Sequence, residues 1–445
     1  DKVMSLKITL CDDFSGEQRK LLEEKSLQSF LSLKDKTCKG SEWTGWFNWP
    51  KEQGFKLIEQ LKEALLEVDI YYDVVCVVGI GGSFCGTRAV CQALEHTHKG
   101  YLGKSAQSSQ LPIVYLGQNL SEATTLETLE LLDKKSPLCI VISKSGSTIE
   151  PALSFRFVRK QLEDRYGKEE ARQRLLMVTG ENSGSLRELA KKNNYQTFPV
   201  PDSIGGRYSV LSAVGILPLL AARYDVEALM LGANECFKEL LSQDLTQETT
   251  HVALSYAAWR HWLWEKKKVG EVLAYETPKL AGFMEWWRQL FAESEGKNSK
   301  GLLPVGMLYS TDLHSVGQFL QDGPLCFAET FLVFKDMMPS SLVESRLKVP
   351  YLPNHQDGMD LASGWYLDDI NRLATSAGEY AHKSRGVFCS RLELPKLNEY
   401  YLGYLFSFFQ VSCAVSALLL DVNPFDQPGV EKYKQKLWAS LKEGR

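Results

Sequence analysis

The chain has 445 residues, with 51 Lys and Arg against 55 Asp and Glu, a formal charge of −4, and 44% apolar and 24% charged residues. This composition is that of an ordinary globular protein of two or three domains, and it excludes a disordered or repetitive chain. A slightly acidic chain without a basic stretch gives no electrostatic reason to expect a nucleic acid or an anionic membrane as partner, so the expected ligand is a small molecule.

The ten cysteines are scattered, contain no C-x-x-C pair, and in several cases lie inside apolar runs. We interpret them as reduced, buried thiols. The opening residues DKVMSLKITLCDDF show no basic start followed by an apolar stretch, so a cytoplasmic protein is expected. The charge-free run from Tyr400 to Leu420 is long enough to span a bilayer. We predict a core helix there instead, because serines and a glutamine interrupt the run and no Lys/Arg bias flanks it.

Short β-branched runs alternate with helical patterns in the first half of the chain. Continuous apolar runs that end in Gly or Ser before a helix are typical of parallel strands in a doubly wound α/β sheet. Ligands of such sheets bind outside the carboxyl ends of the strands. From about residue 216 the chain is rich in helix, with a second α/β unit around Leu302 to Tyr309 and Leu325 to Val333. The predicted strands of the first half are Val74 to Val78, Ile113 to Leu116, Leu138 to Ile142 and Leu175 to Val178.

A glycine-rich turn, Gly79-Ile-Gly-Gly82-Ser83, follows the first of these strands. Its backbone amides could approach a phosphate. A dinucleotide-binding fingerprint would need a third glycine where Phe84 stands, and an acidic residue about twenty positions later, so that interpretation is the weaker one. A tight strand-to-helix turn without a ligand remains an alternative.

The loop Ser143-Lys144-Ser145-Gly146-Ser147-Thr148 is a more specific signal. Hydroxyls, backbone amides and the positive end of a helix dipole together suit a dianionic phosphomonoester. The loop is not a nucleotide P-loop, which needs G-x-x-x-x-G-K-S/T. The alternative is an ordinary polar loop whose Ser and Thr cap the next helix.

Three further segments supply candidate catalytic groups. Arg207 follows a glycine pair and is expected at the N-terminus of a helix that begins near Ser209, although a structural Arg paired with a carboxylate is the simpler alternative. Gln289 and Glu293, spaced i and i+4, share one face of a helix, where a solvated Glu is the default. His314 is one of seven histidines, and a core or capping role is its default.

Cys91, His96 and His98 are the nearest approach to a metal-binding cluster. No second cluster lies at a zinc spacing, so we predict no metal site.

The C-terminal run from Asn423 predicts a helix whose first turn holds Pro428, with Asp426 or Gln427 near the cap. At about 100° per residue, one apolar stripe forms and Lys434 falls within its arc. A Lys on an inward stripe either extends its stem along apolar surface or meets an anion or a catalytic centre, and both remain open. The stripe consists of Val430, Tyr433, Leu437, Trp438 and Leu441, while Lys432 and Lys436 lie on the opposite side.

Taken together, these segments resemble the phosphoglucose isomerase family in its shorter bacterial form. The resemblance rests on GIGGS at 79–83, SKSGST at 143–148, GGRYSVLSAVG at 205–215, EWWRQLFAESEGK at 285–297, STDLHSVGQ at 310–318 and NPFDQPGVEKYK at 423–434. It implies two sugar-isomerase (SIS) domains, each a parallel sheet flanked by helices, at residues 51–215 and 216–445. An N-terminal segment, residues 1–50, is expected to pack on the second domain.

The resemblance also implies a role for each matching residue. Glu293 would be the base, Arg207 the cation near the reacting carbons, and His314 and Lys434 the pair that opens the sugar ring. Ser147 departs from many relatives, which have Thr, but it keeps a hydroxyl. The implied substrate-binding residues are Gly82, Ser83, Ser143, Lys144, Ser145, Thr148, Gln289 and Gln427.

The expected reaction is aldose–ketose isomerisation of a sugar phosphate. A base moves a proton between neighbouring carbons, a fixed cation stabilises the enediolate, and an acid–base pair first opens the ring. No step moves a hydride or needs a metal, so no cofactor is expected. The resemblance further implies a homodimer in which His314 completes the partner's site. Two other classes fit less well: a noncatalytic sugar-phosphate-binding protein has no use for Glu293, His314 and Lys434 together, and an NAD-dependent dehydrogenase lacks its fingerprint here.

Overall fold

The computed structural model describes residues 6–99, 109–242, 250–352 and 357–444, without the side chains of residues 340 and 341. Its first sheet consists of β2 (Val74–Val78), β3 (Ile113–Leu116), β4 (Pro137–Ile142), β5 (Leu175–Gly180) and β6 (Gln196–Val200). All five strands are parallel and lie in the order β3-β2-β4-β5-β6. The four strands predicted in the first half are present, and β6 is an addition.

The second sheet consists of β1 (Lys7–Thr9), β7 (Gly270–Tyr275), β8 (Leu303–Leu308), β9 (Phe327–Asp336) and β10 (Cys389–Lys396). These strands lie in the order β1-β10-β9-β7-β8. They are parallel except β1, which pairs antiparallel with β10 at one edge. The predicted second α/β unit corresponds to β8 and β9.

Helices cover the sheets and link their strands. In the first half they are α1 (Gly16–Lys34), α2 (Phe55–Leu66), α3 (Cys85–Leu94), α4 (Glu122–Lys134), α5 (Ile149–Gln173), α6 (Ser185–Asn193) and α7 (Ala213–Ala221). In the second half they are α8 (Val226–Ser242), α9 (Val252–Glu265), α10 (Ala281–Glu295), α11 (Gly317–Asp322), α12 (Leu367–Arg385), α13 (Glu399–Leu419) and α14 (Glu431–Glu443). The predicted fold class, α/β with two largely parallel sheets flanked by helices, is confirmed.

Successive side chains of strand β2 point to opposite faces of the sheet, and both faces are covered, which explains why its apolar run is unbroken. Val75 and Val77 enter a core on one face of the sheet, whereas Val74, Cys76 and Val78 enter another on the opposite face. A strand covered on both faces needs an apolar side chain at every position. The same logic holds for β4, which is buried throughout.

The apolar run near residue 400 forms α13, which packs against α8 and α9. By length and hydropathy this helix could cross a membrane, but 89% of its apolar window is buried inside the protein. The prediction of a core helix is therefore confirmed. Its buried Gln410 donates to the backbone oxygen of Tyr208 at 3.1 Å, which ties the helix to the turn that carries Arg207.

The N-terminal segment reaches the second sheet, because β1 pairs with β10 and α1 packs against α9 and α13. Residues 1–5, the start of that expected segment, lie outside the described residues. The division of the chain at residues 50 and 215 stays a prediction.

Candidate active site

Parallel strands β2, β4 and β5 end at the same edge of the first sheet, and the loops that follow them line one cavity of about 500 Å³. The hydroxyl-rich loop contributes Ser143, Lys144, Ser145 and Thr148 to its wall. Within that loop, the backbone N–H of Gly146 donates to Ser143 Oγ at 3.0 Å. Gly146 has φ +75°, and a Cβ there would lie 2.2 Å from the Leu186 nitrogen. The predicted residues that line the cavity are Ser83, Ser143, Lys144, Ser145, Thr148 and Gln427.

The hydroxyl of Thr148 bears on whether this loop binds a ligand or only caps the next helix. Thr148 is the N-cap residue of α5, yet its side chain makes no capping hydrogen bond. Its hydroxyl is therefore available to a ligand at the helix N-terminus, where anions are stabilised. Ser147, the departure from the family pattern, donates its hydroxyl to Ser145 Oγ at 3.0 Å. Its hydroxyl thus bonds to another residue of the same loop.

Lys144 holds two loops together. Its ammonium donates to the backbone oxygens of Asp202 at 2.7 Å and Ile204 at 3.1 Å. It also lies 4.7 Å from the ring centroid of Trp43. Burial lowers the pKa of Lys144. No sequence pattern pointed to Trp43, because this contact joins positions far apart along the chain and only the fold creates it.

The turn after β2 approaches the Arg207 segment without room for a side chain. A Cβ on Gly82 would lie 2.1 Å from the backbone oxygen of Gly206. Gly81 has φ +58°, and a Cβ there would lie 2.9 Å from Gln289 Nε2. The glycines therefore let the turn after β2 lie directly against α10 and the Arg207 turn.

Arg207 lies in a short 3-10 turn, Gly206–Tyr208, and the next helix begins only at Ala213. The expectation that it stands at a helix N-terminus near Ser209 is therefore wrong. Its guanidinium is buried and donates to Glu293 Oε2 at 3.2 Å, to Gln427 Oε1 at 2.8 Å and to Ser294 Oγ at 2.8 Å. It also donates to the backbone oxygens of Pro424 at 2.6 Å and Asp426 at 3.1 Å.

Glu293 and Gln289 lie on one face of α10, as the i, i+4 spacing predicted. Gln289 Nε2 donates to Glu293 Oε1 at 3.3 Å, so each carboxylate oxygen has one donor, from Gln289 or from Arg207. The Glu293 side chain is 36% exposed, whereas that of Arg207 is 2% exposed. The carboxylate thus has a buried cation on one side and open space on the other.

Arg207, Gln289, Glu293 and Gln427 form one hydrogen-bonded cluster. Lys297 lies beside it, and the sequence analysis did not predict a role for this residue. Its side chain is 9% exposed and forms an ion pair with Asp426 at 3.0 Å. It also donates to the backbone oxygens of Ser294 and Asn423. Burial lowers the pKa of Lys297, while the Asp426 carboxylate opposes that effect. Lys297 and Arg207 together fasten the segment that ends in Gln427 to the C-terminal turn of α10.

His314 stands apart from this cluster. It ends a 3-10 turn, Thr311–His314, that follows β8. Its side chain is exposed and makes no hydrogen bond to any other described residue. Within one chain, the structure therefore does not bring His314 to Glu293.

Lys434 also stays outside the cluster. Helix α14 begins at Glu431 after a 3-10 turn that holds Pro428, as predicted, but no described residue of the helix is buried. The apolar stripe is exposed, with Tyr433 at 58% and Trp438 at 46%. The expectation that this stripe faces inward is wrong for the single chain. Lys434 pairs with Glu431 at 3.1 Å at the surface.

The chemistry of the cluster follows from these contacts. A cavity lined by hydroxyls and a helix N-terminus can hold a dianionic phosphate. Beside it, a carboxylate can take a proton from carbon while a buried guanidinium stabilises negative charge on a neighbouring oxygen. Among the residues in the four described ranges, no His, Cys, Asp and Glu side chains gather in a group of three or more that could hold a metal ion.

Comparison with known proteins gives consistent findings. Residues 69–303 match the family described as Phosphoglucose isomerase. The chain is 38% identical over 420 residues to glucose-6-phosphate isomerase from Heliobacterium modesticaldum, covering 94% of this chain and 92% of the relative. It is 39% identical over 410 residues to glucose-6-phosphate isomerase from Shouchella clausii, covering 92% and 89%.

Solved structures share the fold. A hypothetical protein from Thermus thermophilus superposes with a TM-score of 0.83 at 25% identity, covering 98% of this chain and 100% of that one. A glucose-6-phosphate isomerase from Chlamydia trachomatis superposes with a TM-score of 0.68 at 20% identity, covering 97% and 80%. The family match and the two sequence relatives confirm the resemblance inferred from the motifs.

Proposed function

The chain belongs to the phosphoglucose isomerase family and functions as a glucose-6-phosphate isomerase; we propose which of its residues carry each step of the reaction. The observation that carries the proposal is the position of the Arg207 guanidinium. It is hydrogen-bonded to both Glu293 and Gln427, and Gln427 lines the hydroxyl-rich cavity. A phosphate held in that cavity would therefore bring the sugar carbons towards Arg207 and Glu293.

Ser143, Ser145 and Thr148 bind the phosphate, with Gly82 and Ser83 beside it. The unused hydroxyl of Thr148 and the first amides of α5 support this assignment. Lys144 contributes its charge from the base of the loop, where backbone oxygens hold its ammonium. Gln289 and Gln427 bind hydroxyls of the sugar.

Glu293 removes the proton from the carbon next to the carbonyl and returns it to the neighbouring carbon. As the proton leaves, negative charge develops on the carbonyl oxygen and gives the enediolate, and Arg207 stabilises that charge. Because Arg207 is held by five partners besides Glu293 Oε2, its charge is in place before the substrate arrives. Such preorganisation lowers the barrier without reorganisation during the reaction.

Most of the substrate is cyclic, so the ring must open first. We assign this step to His314 and Lys434. Neither reaches the cluster within one chain. His314 is exposed, and the Tyr433 hydroxyl next to Lys434 donates to Glu150 Oε1 at 3.2 Å, in the first turn of α5 beside the phosphate loop. This contact supports a place for α14 at the rim of the cavity.

A homodimer would bring His314 to the site of its partner. The Leu313 side chain packs against α12, where a Cβ on Gly378 would lie 3.2 Å from it. The outer side of α12 exposes Leu373 at 53% and Tyr380 at 77%, and the segment before it exposes Leu347 at 69% and Leu361 at 82%. Exposed apolar surface of this kind is typical of an interface. These residues support a dimer contact directly beside the His314 turn.

A role in glycolysis and gluconeogenesis follows from this activity. A cytoplasmic location is part of the proposal and is supported by the ten cysteines, all of which are free.

Lys434→Met should slow turnover of cyclic glucose 6-phosphate by about tenfold or more, because an acid–base group of the ring-opening step is lost. The measurement is steady-state kinetics of the variant. Lys432→Met and Lys436→Met, on the opposite side of the same helix, are the matched controls and should change kcat by less than about twofold. Equal effects at all three positions would remove Lys434 from the mechanism.

The activity itself is tested in both directions with coupled assays. We expect conversion of fructose 6-phosphate to glucose 6-phosphate, and the reverse, to be unaffected by EDTA, because Arg207 supplies the positive charge at the enediolate. Loss of activity on chelation, restored by a divalent cation, would contradict the assigned mechanism. Binding of both sugar phosphates without turnover would instead favour the noncatalytic class.

A further inference from the structure

A buried polar group lies under the turn that carries His314. It comprises the Tyr309 hydroxyl, the Glu329 carboxylate of β9 and the His382 ring of α12, all almost fully buried. We propose that Tyr309, Glu329 and His382 are positioning residues that hold His314 for ring opening. This inference rests on the role proposed above for His314.

The carboxylate of Glu329 is the centre of the group. Tyr309 donates its hydroxyl to Glu329 Oε1, and His382 Nδ1 lies 2.6 Å from Glu329 Oε2. The Cys389 thiol lies 3.9 Å from the same Oε2. Glu329 is 0% exposed, so each lost donor leaves a buried carboxylate short of a partner, which is a costly state. Tyr309 and His382 are therefore held in position relative to each other, because both bind the Glu329 carboxylate.

Tyr309 stands five positions before His314 and anchors the start of its turn. Its backbone N–H donates to the Tyr275 oxygen at 2.8 Å at the end of β7. Asp312 Oδ2 accepts from the Leu308 N–H at 2.7 Å, and the Leu313 N–H donates to the Ser310 oxygen at 3.1 Å. The turn is thus compact from residue 308 to residue 313. A displacement of the Tyr309 ring would therefore shift this backbone and the histidine at its end.

The far end of the group lies on α12, against which Leu313 also packs. His382 therefore links the same helix to the turn at a second point. Burial and the Glu329 charge raise the pKa of Tyr309, which keeps its hydroxyl protonated as a donor. Two attachments to α12 and one to β7 hold the backbone of the turn, and His314 lies at its exposed end.

Ring opening can be measured apart from isomerisation. Opening and reclosure interconvert the α and β anomers of glucose 6-phosphate, and this step needs no base at Glu293. We therefore use Glu293→Gln as the background and measure anomer exchange by two-dimensional exchange NMR, with the uncatalysed rate subtracted. Binding of glucose 6-phosphate is measured by calorimetry on the same samples.

Tyr309→Phe in that background should slow anomer exchange by about tenfold while Kd stays within about twofold, because the ring-opening group is displaced and the phosphate site is not. His382→Gln, which leaves Tyr309 in place, should act in the same direction and serves if Tyr309→Phe does not fold. Tyr404→Phe is the matched control. It removes another buried hydroxyl, one that donates to the Glu239 carboxylate at 2.6 Å, and should leave exchange unchanged.

Three outcomes are decisive. Unchanged exchange in both Tyr309→Phe and His382→Gln overturns the inference. An equal loss of exchange and of affinity also overturns it, because the group would then be general structural support. His314→Ala separates the inference from its premise: if that variant keeps full exchange, the proposed role of His314 fails, whatever the other variants do.

Discussion

Glu293→Gln should lower kcat by at least about a hundredfold, the usual contribution of a general base, with KM little changed. The amide keeps the size of the side chain and can still accept a hydrogen bond from Arg207, which lies 3.2 Å from the present carboxylate oxygen. It cannot take a proton from carbon. A hundredfold loss corresponds to about 2.7 kcal/mol of transition-state stabilisation.

The matched control is Glu285→Gln on the same helix. Glu285 forms an ion pair with Arg88 at 3.2 Å, partly exposed and away from Arg207, so this variant should retain kcat within about twofold. Steady-state kinetics on both sugar phosphates compares the two variants. Near-native turnover by Glu293→Gln would assign the base to another residue.

Two of the strands that were predicted from the sequence contrast with two that were missed. Val74–Val78 and Pro137–Ile142 are apolar throughout because both faces of their sheet are covered. In contrast, β6 alternates between buried and exposed residues and contains Pro199, and β1 has only three residues. Strand β1 exists because β10 supplies its hydrogen bonds, which no local pattern records.

The candidate site likewise contains features that could be predicted from local sequence and features that could not. Local chemistry revealed the hydroxyl loop and the pairing of Gln289 with Glu293, since each depends on residues within one turn or one helix. The partners of Arg207 could not be predicted, because Ser294 and the oxygens of Pro424 and Asp426 come from distant segments. Helical periodicity grouped the apolar residues of α14 on one face. It could not say what covers that face, and in the single chain nothing among the described residues buries it.

The proposed dimer would account together for the exposed positions of His314 and of the apolar residues on α12. A histidine that belonged to its own chain's site would be expected near Glu293, yet His314 ends a turn that faces solvent. A two-fold interface is self-complementary, so any residue it delivers to one site it also delivers to the other. Each site would then draw Glu293 from one chain and His314 from its partner.

Mixed dimers of Glu293→Gln and His314→Ala should therefore recover activity that neither parent has. Each homodimer lacks one group at both sites and should be nearly inactive. After joint unfolding and refolding, about half of the dimers are mixed by random assortment. In a mixed dimer one site keeps both groups and the other lacks both, so the preparation should reach roughly a quarter of wild-type activity by this symmetry.

The measurement combines the isomerase assay with sedimentation and a mass-tagged subunit, which together verify that the refolded species are dimers and that chains have exchanged. Refolding each parent alone is the control and should restore nothing. If His314 acted within its own chain, every site in a mixed dimer would lack one group. Verified mixed dimers without recovered activity would therefore place the histidine in the site of its own chain, and the turn held by Tyr309 would then have to reach Glu293 within one subunit.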